Sequence, residues 1–399
     1  MIAPRGSWLL DPEVVFLNHG SFGSCPLPVL EAQNELRARM EREPVRFMAG
    51  ELRPLLDGVR AELGPFLGAA PRDLVPVPNA TTAVNAVLRS LELGPGDELL
   101  VTDHGYNACR NAVEFVARRA GARVVVAEVP FPLATAGEVI EAVLGAVSAR
   151  TRLALLDHVT SPTGLVLPIA RLVSELRERG VETLVDGAHA PGMVALDLDA
   201  TGAAYTTGNA HKWLCAPKGA AYLHVRRDLQ ETVRPVVISH GANAPRGERS
   251  RFVVEFDWCG TDDPTAFLCI PAAMRFLSGL LPGGWDELRA RNRDLALRAR
   301  AVLCAELGVA PPAPDDMIAA LASVPLPDGG PSGPRSAFDL DPLQAALFAR
   351  HRIEVPVFPW PAPPRRMVRV SAQAYNRIEE YEHLARALRE LLAQEAGSE

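Results

Sequence analysis

The chain has 399 residues, a length that suits one large domain joined to a smaller one. Its net charge of −7 argues against nucleic acid as a partner, because phosphate binding requires a concentrated basic surface. No apolar run approaches the length of a membrane span, and the first residues lack the pattern of a signal peptide. We therefore expect a cytoplasmic protein with no membrane partner.

The N-terminal region, residues 1–50, begins with a turn-rich segment that contains NHGSFGSCPLP. A helix is predicted over residues 28–43, and it should end before Pro44 because proline cannot continue a helix. We expect this region to pack on the smaller domain and on the functional site.

Residues 79–240 alternate predicted helices with short apolar runs rich in Val, Leu and Ala. Because these runs are continuous, they predict strands that helices cover on both faces, as in mainly parallel α/β sheets. The predicted helices are 80–92, 107–120 and 168–179. The seven predicted strands are 98–103, 123–129, 152–159, 181–187, 203–208, 219–225 and 235–240.

The C-terminal part has a different pattern, with a long predicted helix at 284–307 followed by Pro/Gly-rich connectors at 308–334. Residues 341–395 then predict helix, strand, loop, strand and helix. We expect a large α/β domain over 51–274 and a smaller α+β domain over 275–399.

The cysteines at positions 25, 109, 215, 259, 269 and 304 contain no Cys-x-x-Cys pair. This scatter favours reduced thiols over a disulfide framework, and it offers no metal site.

Three polar residues and one glycine lie where predicted strands end. In α/β sheets, ligands bind outside the carboxyl ends of the strands. The residues at these ends are Asp103, His158, Asp186 and Gly208.

Of the 41 lysine and arginine residues, only Lys212 and Lys218 are lysines. An arginine stays protonated, whereas a desolvated lysine can lose its proton and form a Schiff base with a carbonyl. Codon bias explains why lysine is rare, but it does not explain why both lysines occur in NAHKWLCAPKG, shortly after an aspartate and a histidine. This placement favours Schiff-base chemistry.

Asp186 ends the apolar run LVD and precedes Gly-Ala-His. A carboxylate at this edge can keep a pyridine nitrogen protonated, although a lone aspartate more often caps a turn. Because Asp186 and Lys212 end separate strands, one cofactor could contact both.

The chain resembles the class V aminotransferase family of fold type I pyridoxal-phosphate enzymes, and most closely its branch of isopenicillin N epimerase-like members. The resemblance covers nearly the whole chain. The segments that carry it are FLNHGSFGSCP, NATTAVN, TDHGYNA, SPTGLVLP, VDGAHAPG, GNAHKWL, FDWCGTDDPTA, IEVPVFPW and VRVSAQAYN.

This resemblance implies pyridoxal 5'-phosphate as the cofactor. Lys212 would bind it covalently and then move protons at the substrate α-carbon, Asp186 would pair with the pyridine nitrogen, and His189 would hydrogen-bond the phenolic oxygen. A lone histidine is more often structural, and Thr81 taken by itself is more often a plain helix cap. The residues implied at the phosphate are Thr81 at a helix N-terminus, Asn209 and His211.

The resemblance also implies further contacts. Either His104 or Tyr106 would stack on the cofactor face, with a slight preference for His104, and Ser161 would lie near the ring. Thr261 would reach the phosphate of a neighbouring subunit, which implies a homodimer with shared active sites. The residues expected to bind the amino-acid substrate are Arg369, through its α-carboxylate, and Asn18 and His19.

Several reactions stay open on this cofactor. Epimerisation is the leading hypothesis, followed by a C–S or other β-eliminating lyase and then an aminotransferase. No cysteine follows Cys304, which argues against a desulfurase. The alternatives from other classes are a catalytically silent binding protein and a nucleotide-dependent oxidoreductase, for which no GxGxxG motif is present. The candidates for the second proton donor of an epimerase are His19, Tyr106, His104 and Lys218.

Overall fold

The structure is a computed structural model, and it describes residues 5–330 and 339–397. The strands in these residues are β1 (Val15–Phe16), β2 (Leu74–Val77), β3 (Glu98–Thr102), β4 (Arg123–Ala127), β5 (Thr151–Asp157), β6 (Glu182–Asp186), β7 (Tyr205–Asn209), β8 (Ala221–Val225), β9 (Leu321–Leu326), β10 (Ile353–Glu354), β11 (Val357–Pro359) and β12 (Arg366–Ser371).

The α-helices of the same residues surround these strands. They are α1 (His19–Phe22), α2 (Leu27–Arg42), α3 (Leu52–Leu67), α4 (Ala80–Ser90), α5 (Asn107–Ala120), α6 (Ala136–Gly145), α7 (Ile169–Glu178), α8 (Leu198–Thr201), α9 (Arg251–Phe256), α10 (Thr265–Leu268), α11 (Ile270–Ser278), α12 (Gly284–Leu307), α13 (Pro342–His351) and α14 (Ile378–Ala396).

A seven-stranded sheet with the order β2-β8-β7-β6-β5-β3-β4 forms the centre of the fold. Strand β8 runs opposite to the other six strands of this sheet, which confirms the mainly parallel sheet predicted from the sequence. The carboxyl ends of β3, β5, β6 and β7 therefore meet at one edge of the sheet.

Helices cover both faces of this sheet, as the continuous apolar runs predict. On β3, Leu99 packs with residues of α4 and α5, whereas Leu100 packs with α6 and α7 on the other face. Successive side chains of a strand point to opposite faces, so a strand buried on both sides has to be apolar throughout.

The sequence analysis was wrong about one strand. Residues 235–240 form no strand, and the seventh strand is β2, which pairs with β8. The β-branched run Val236–Ile238 is exposed, with exposed fractions of 40%, 55% and 60%. Strand β2 escaped prediction because it is short and contains Pro76, a residue that a sheet tolerates at an edge.

A three-stranded antiparallel sheet with the order β11-β12-β9 lies in the C-terminal part, accompanied by α12, α13 and α14. Its strand β9 falls within residues 308–334, which the sequence analysis treated as a connector, and that interpretation is therefore wrong for Leu321–Leu326. The end of the connector, 331–334, lies outside the described residues. The central strand β12 carries Arg369 opposite Ser323.

The N-terminal segment joins the two parts of the fold. Strand β1 pairs in parallel with β10, and the Ser371 amide donates to the Leu17 carbonyl at 2.9 Å. The following turn places Gly23 against the backbone that precedes Lys212. Gly23 has a φ of +68°, and a Cβ atom there would lie 2.1 Å from the His211 carbonyl oxygen.

No helix among the described residues combines the length and the apolar character that crossing a bilayer requires.

We expect the substitution Gly23→Ala to be far more damaging than Gly180→Ala. Both glycines have a left-handed φ, but a Cβ atom at Gly180 meets nothing within 4 Å. Backbone strain at a positive φ should cost either variant about 1–3 kcal/mol, and overpacking against His211 should cost Gly23→Ala about 1–3 kcal/mol more. Chemical denaturation measures both losses, and equal losses would contradict the close packing of this turn.

Candidate active site

The carboxylate of Asp186 lies at the carboxyl end of β6 and is 2% exposed. Its Oδ1 accepts the Ala188 N–H at 2.9 Å, and its Oδ2 accepts a hydrogen bond from the Cys109 thiol at 3.1 Å. Burial raises the pKa of Cys109 well above its usual value, and Asp186 adds to the shift, so the sulfur stays a thiol. Asp186 is thus fixed in orientation at the sheet edge.

A second buried carboxylate lies beside it. Asp157 ends β5, and its Cα atom pairs with that of Asp186 in the sheet register. Burial raises the pKa of Asp157 well above its usual value, and the negative charge of Asp186 raises it further. Two adjacent carboxylates in a poorly solvated site do not both ionise readily, so Asp157 is the one that stays protonated.

Lys212 follows β7 and places its Nζ 3.2 Å from His189 Nε2. Burial lowers the pKa of Lys212 to about 8, and the charge of Arg369 also lowers it, while Asp186 acts in the opposite direction. Burial lowers the pKa of His189 well below its usual value, and Lys212 contributes to that shift. A neutral amine beside a neutral imidazole is therefore accessible near neutral pH.

The N-terminus of α4 offers hydrogen-bond donors to an anion. Asn209 Oδ1 accepts the Ala80 N–H at 2.8 Å, and Asn79 Oδ1 accepts the Thr82 N–H at 2.8 Å. Within the described part of the chain, the N–H and hydroxyl of Thr81 make no hydrogen bond. The structure thus brings Asn209 to the helix end that contains Thr81, and both free donors favour a phosphate group.

His211 is held by its Nδ1, which donates to the Ala220 carbonyl at 3.0 Å. Burial lowers its pKa to about 4, and Lys212 adds to the shift. The Nε2 atom of His211 is available to another partner. His211 lies two residues after Asn209 in the chain.

Arg369 is 5% exposed and has no carboxylate partner among the described residues. Its guanidinium donates to the Ser161 carbonyl at 2.5 Å, to the Ser161 hydroxyl at 3.1 Å and to the Ser21 hydroxyl at 3.0 Å. Burial lowers its pKa to about 10. A buried cation with only neutral partners is a strong site for a carboxylate.

Three of the expected site residues make hydrogen bonds within the protein. Ser161 bonds Arg369, so its side chain positions this cation. Asn18 is buried, and its Oδ1 accepts the Ser21 hydroxyl at 2.5 Å. Asn18 therefore contacts Arg369 only through Ser21 among these hydrogen bonds. His19 is fully buried, with Nδ1 2.8 Å from the Tyr375 hydroxyl and Nε2 3.0 Å from the Lys212 carbonyl. Direct contacts of Asn18 and His19 with a substrate stay predictions.

His104 and Tyr106 occupy different surroundings. His104 is 1% exposed, with Nδ1 2.8 Å from the Thr163 hydroxyl and Nε2 3.1 Å from the Val129 carbonyl. These contacts fix the orientation of the ring, and the stacking role of His104 stays a prediction. Tyr106 is 45% exposed; partial burial raises the pKa of its phenol, Cys109 and Asp186 raise it further, and Arg369 acts in the opposite direction.

The remaining two candidates lie outside this cluster. Lys218 is exposed and donates to the Gly23 carbonyl at 3.2 Å. Thr261 is exposed on the rim of an apolar groove of about 360 Å³ that also involves Val237 and Trp258.

The sequence analysis missed Ser21, Cys109 and Asp157. Asp157 ends the run LALLD just as Asp186 ends LVD, so the same signal was present one residue before His158. Cys109 and Ser21 carry no such signal, because only the fold brings them to Asp186 and Arg369.

The assembled groups fit pyridoxal phosphate. They comprise an amine with a lowered pKa, a buried carboxylate for a pyridine nitrogen, a helix end with free donors for a phosphate, and an unpaired arginine for a substrate carboxylate.

Comparisons with known proteins agree with this fit. The family described as "Aminotransferase class-V" matches residues 23–384. Isopenicillin N epimerase of Amycolatopsis lactamdurans is 40% identical over 96% of both chains. A probable chloroplastic L-cysteine desulfhydrase of Arabidopsis thaliana is 33% identical over 96% of this chain and 84% of its own.

Solved structures show the same fold. The cystine C-S lyase C-DES, in complex with its reaction product cysteine persulfide, is similar with a TM-score of 0.77 at 22% identity, covering 95% of this chain and 98% of its own. The apo cysteine desulfurase of Thermococcus onnurineus NA1 gives a TM-score of 0.78 at 20% identity, covering 98% and 97%. This chain is a pyridoxal-phosphate-dependent enzyme of fold type I, and it belongs to the class V aminotransferase family.

Proposed function

We propose that this enzyme removes the α-proton of an amino-acid substrate and returns it on the opposite face, as an epimerase similar to isopenicillin N epimerase. The observation that carries the proposal is that two proton-carrying groups, the Lys212 amine and the Tyr106 hydroxyl, both lie within electrostatic range of Arg369. An epimerase needs one such group for each face of the α-carbon. The 40% identity to an epimerase supports the same reaction.

When bound, pyridoxal phosphate withdraws electrons from the substrate α-carbon and makes its hydrogen acidic. We assign to Lys212 the covalent attachment of the cofactor and the movement of the proton at the α-carbon. Asp186 accepts a hydrogen bond from the pyridine nitrogen, and His189 donates one to the phenolic oxygen. The groups assigned to the phosphate are Thr81, Asn209 and His211.

Arg369 is the proposed anchor of the substrate α-carboxylate. A planar guanidinium binds a carboxylate through two parallel hydrogen bonds, and the contacts to Ser21 and Ser161 hold the guanidinium in place. With the α-carboxylate fixed at Arg369, the proton can be exchanged at a defined position between Lys212 and Tyr106. We further propose that Tyr106 covers the cofactor face opposite Lys212.

A β-eliminating lyase is the second candidate, and the L-cysteine desulfhydrase at 33% identity supports it. A desulfurase is less well supported, because no cysteine follows Cys304 to accept sulfur. β-Elimination requires the amine of Lys212 but no proton donor on the opposite face.

Product analysis separates the two reactions. With isopenicillin N in deuterated water, we expect inversion at the α-carbon together with deuterium incorporation. With L-cysteine, we expect no release of sulfide, pyruvate and ammonia above the background of a Lys212→Ala variant. Rapid release of those three products without inversion of the peptide substrate would replace the epimerase proposal with the lyase.

The substitution Tyr106→Phe tests the second proton donor. Loss of a positioned proton donor should lower the rate of inversion about 10²–10⁴-fold, while exchange of the α-proton through Lys212 continues without inversion. Proton and deuterium NMR of the substrate, together with chiral chromatography, measures both. Tyr205→Phe, at the opposite end of β7 from Asn209, is the control and should change neither rate. Undiminished inversion in Tyr106→Phe would exclude this role.

We propose that two copies of this chain form a homodimer across the apolar groove near Thr261. The groove is flanked by the exposed side chains of Val236 and Val237, and exposed apolar patches of this kind commonly mark interfaces. Thr82, next to the proposed phosphate site, lines the same groove, so Thr261 of one copy could reach the phosphate of the other.

The substitution Val237→Asp should disrupt this dimer, because it places a charge in an apolar interface. Light scattering should then give a mass near the 42.9 kDa of one chain, with weaker cofactor retention. Phe348→Asp, on the exposed part of α13 and outside the groove, is the matched control and should remain dimeric. A Val237→Asp dimer of unchanged stability would contradict the proposed interface.

We also propose a cytoplasmic location. All six cysteines are free, and five of them are buried, which supports a reducing compartment.

A further inference from the structure

The side chain of Trp213 contacts the histidine that faces Lys212. Its indole Nε1 lies 3.3 Å from His189 Nδ1, while the other ring nitrogen of His189 lies 3.2 Å from Lys212 Nζ. Both nitrogens of this imidazole are thus engaged, one by the residue next to Lys212 in the chain and one by Lys212 itself.

The chemistry of the two rings determines the direction of the first contact. An indole N–H can only donate a hydrogen bond, so His189 Nδ1 must accept it. A neutral imidazole that accepts at Nδ1 carries its proton on Nε2. His189 is 2% exposed, and burial first, then Lys212, Arg369 and His19, lower its pKa, so the ring is neutral.

The indole that sets this arrangement is itself closely packed. Trp213 is 2% exposed and packs in a cluster with Val159, Met193 and Leu321. Its ring centroid lies 5.0 Å from that of His19, whose Nε2 bonds the Lys212 carbonyl. Gly192 approaches the Trp213 carbonyl so closely that a Cβ atom there would lie 2.6 Å from it. The indole therefore has little freedom to turn away from His189.

We propose that Trp213 is a positioning residue that holds His189 in the tautomer with its proton on Nε2, so that the imidazole always presents a donor toward Lys212 and the cofactor. The opposite tautomer would present a lone pair to the phenolic oxygen of the bound cofactor and would repel its deprotonated form. The Nε2–H tautomer instead stabilises that oxygen as an anion. The inference rests on the proposed contact of His189 with the phenolic oxygen, and it holds for an epimerase and for a lyase alike.

The imidazole nitrogens can be observed directly in the unaltered protein. With ¹⁵N-labelled histidine, NMR of the full chain with and without pyridoxal phosphate distinguishes a protonated from an unprotonated Nδ1, and the signals lost in His189→Gln identify the residue. We expect an unprotonated Nδ1 and a protonated Nε2 in both forms. A protonated Nδ1 in either form would overturn the proposal without any variant of Trp213.

The substitution Trp213→Phe tests the functional consequence, because phenylalanine keeps an aromatic ring but has no donor. Loss of one neutral hydrogen bond should raise the pH of the visible-absorbance transition of the holoenzyme by about 0.5–1 unit, since the anionic form of the phenolic oxygen is less well stabilised. Trp285→Phe, which packs on Phe66, is the matched control and should leave the transition unchanged. An unshifted transition in Trp213→Phe overturns the proposal.

A double-mutant cycle distinguishes positioning through His189 from a general loss of packing. In a His189→Gln background, adding Trp213→Phe should cause no further shift of the absorbance transition. An equal shift with and without His189 would mean that Trp213 acts through packing alone. Because the readout is a transition of the cofactor, an absence of epimerase activity leaves this test intact.

Discussion

The partial burial of the Lys212 amine is the constraint on which the rest of this site depends. Burial lowers its pKa to about 8, and the uncompensated charge of Arg369 acts in the same direction. An ammonium group cannot attack a carbonyl, so this desolvation is what makes covalent attachment of an aldehyde possible near neutral pH. The neutral imidazole of His189 is compatible with that state because it adds no positive charge beside the amine.

The site also separates the guanidinium of Arg369 from the carboxylates of Asp186 and Asp157. This separation leaves groups of opposite charge available to different parts of a ligand. Arg369 has only neutral partners in Ser21 and Ser161, and it is therefore available to a carboxylate. On the other side, Asp186 lies beside Asp157, and burial together with the charge of Asp186 raises the pKa of Asp157 well above its usual value. A buried carboxylate at the end of β6, an amine of lowered pKa after β7 and a buried guanidinium on β12 can together bind an amino-acid substrate and an aromatic cofactor.

Much of the fold and part of the site followed from the sequence. Continuous apolar runs predict strands buried on both faces, the end of one run pointed to Asp186, and the scarcity of lysine pointed to Lys212. Residues 235–240 were wrongly predicted to form a strand because β-branched residues also occur on exposed apolar surfaces. Strand β2 was not predicted because Pro76 interrupts it. Local sequence does not reveal whether a histidine faces a pocket, so the buried positions of His19 and His104 required the tertiary structure.

The most direct test of the desolvated amine uses the fact that the chain contains only two lysines. Competitive acetylation of the cofactor-free protein, followed by mass spectrometry, gives the relative reactivity of Lys212 as a function of pH, with the exposed Lys218 as an internal reference. We expect the reactivity of Lys212 to rise through a midpoint near pH 8. A midpoint at the ordinary lysine value of about 10.4 would contradict it.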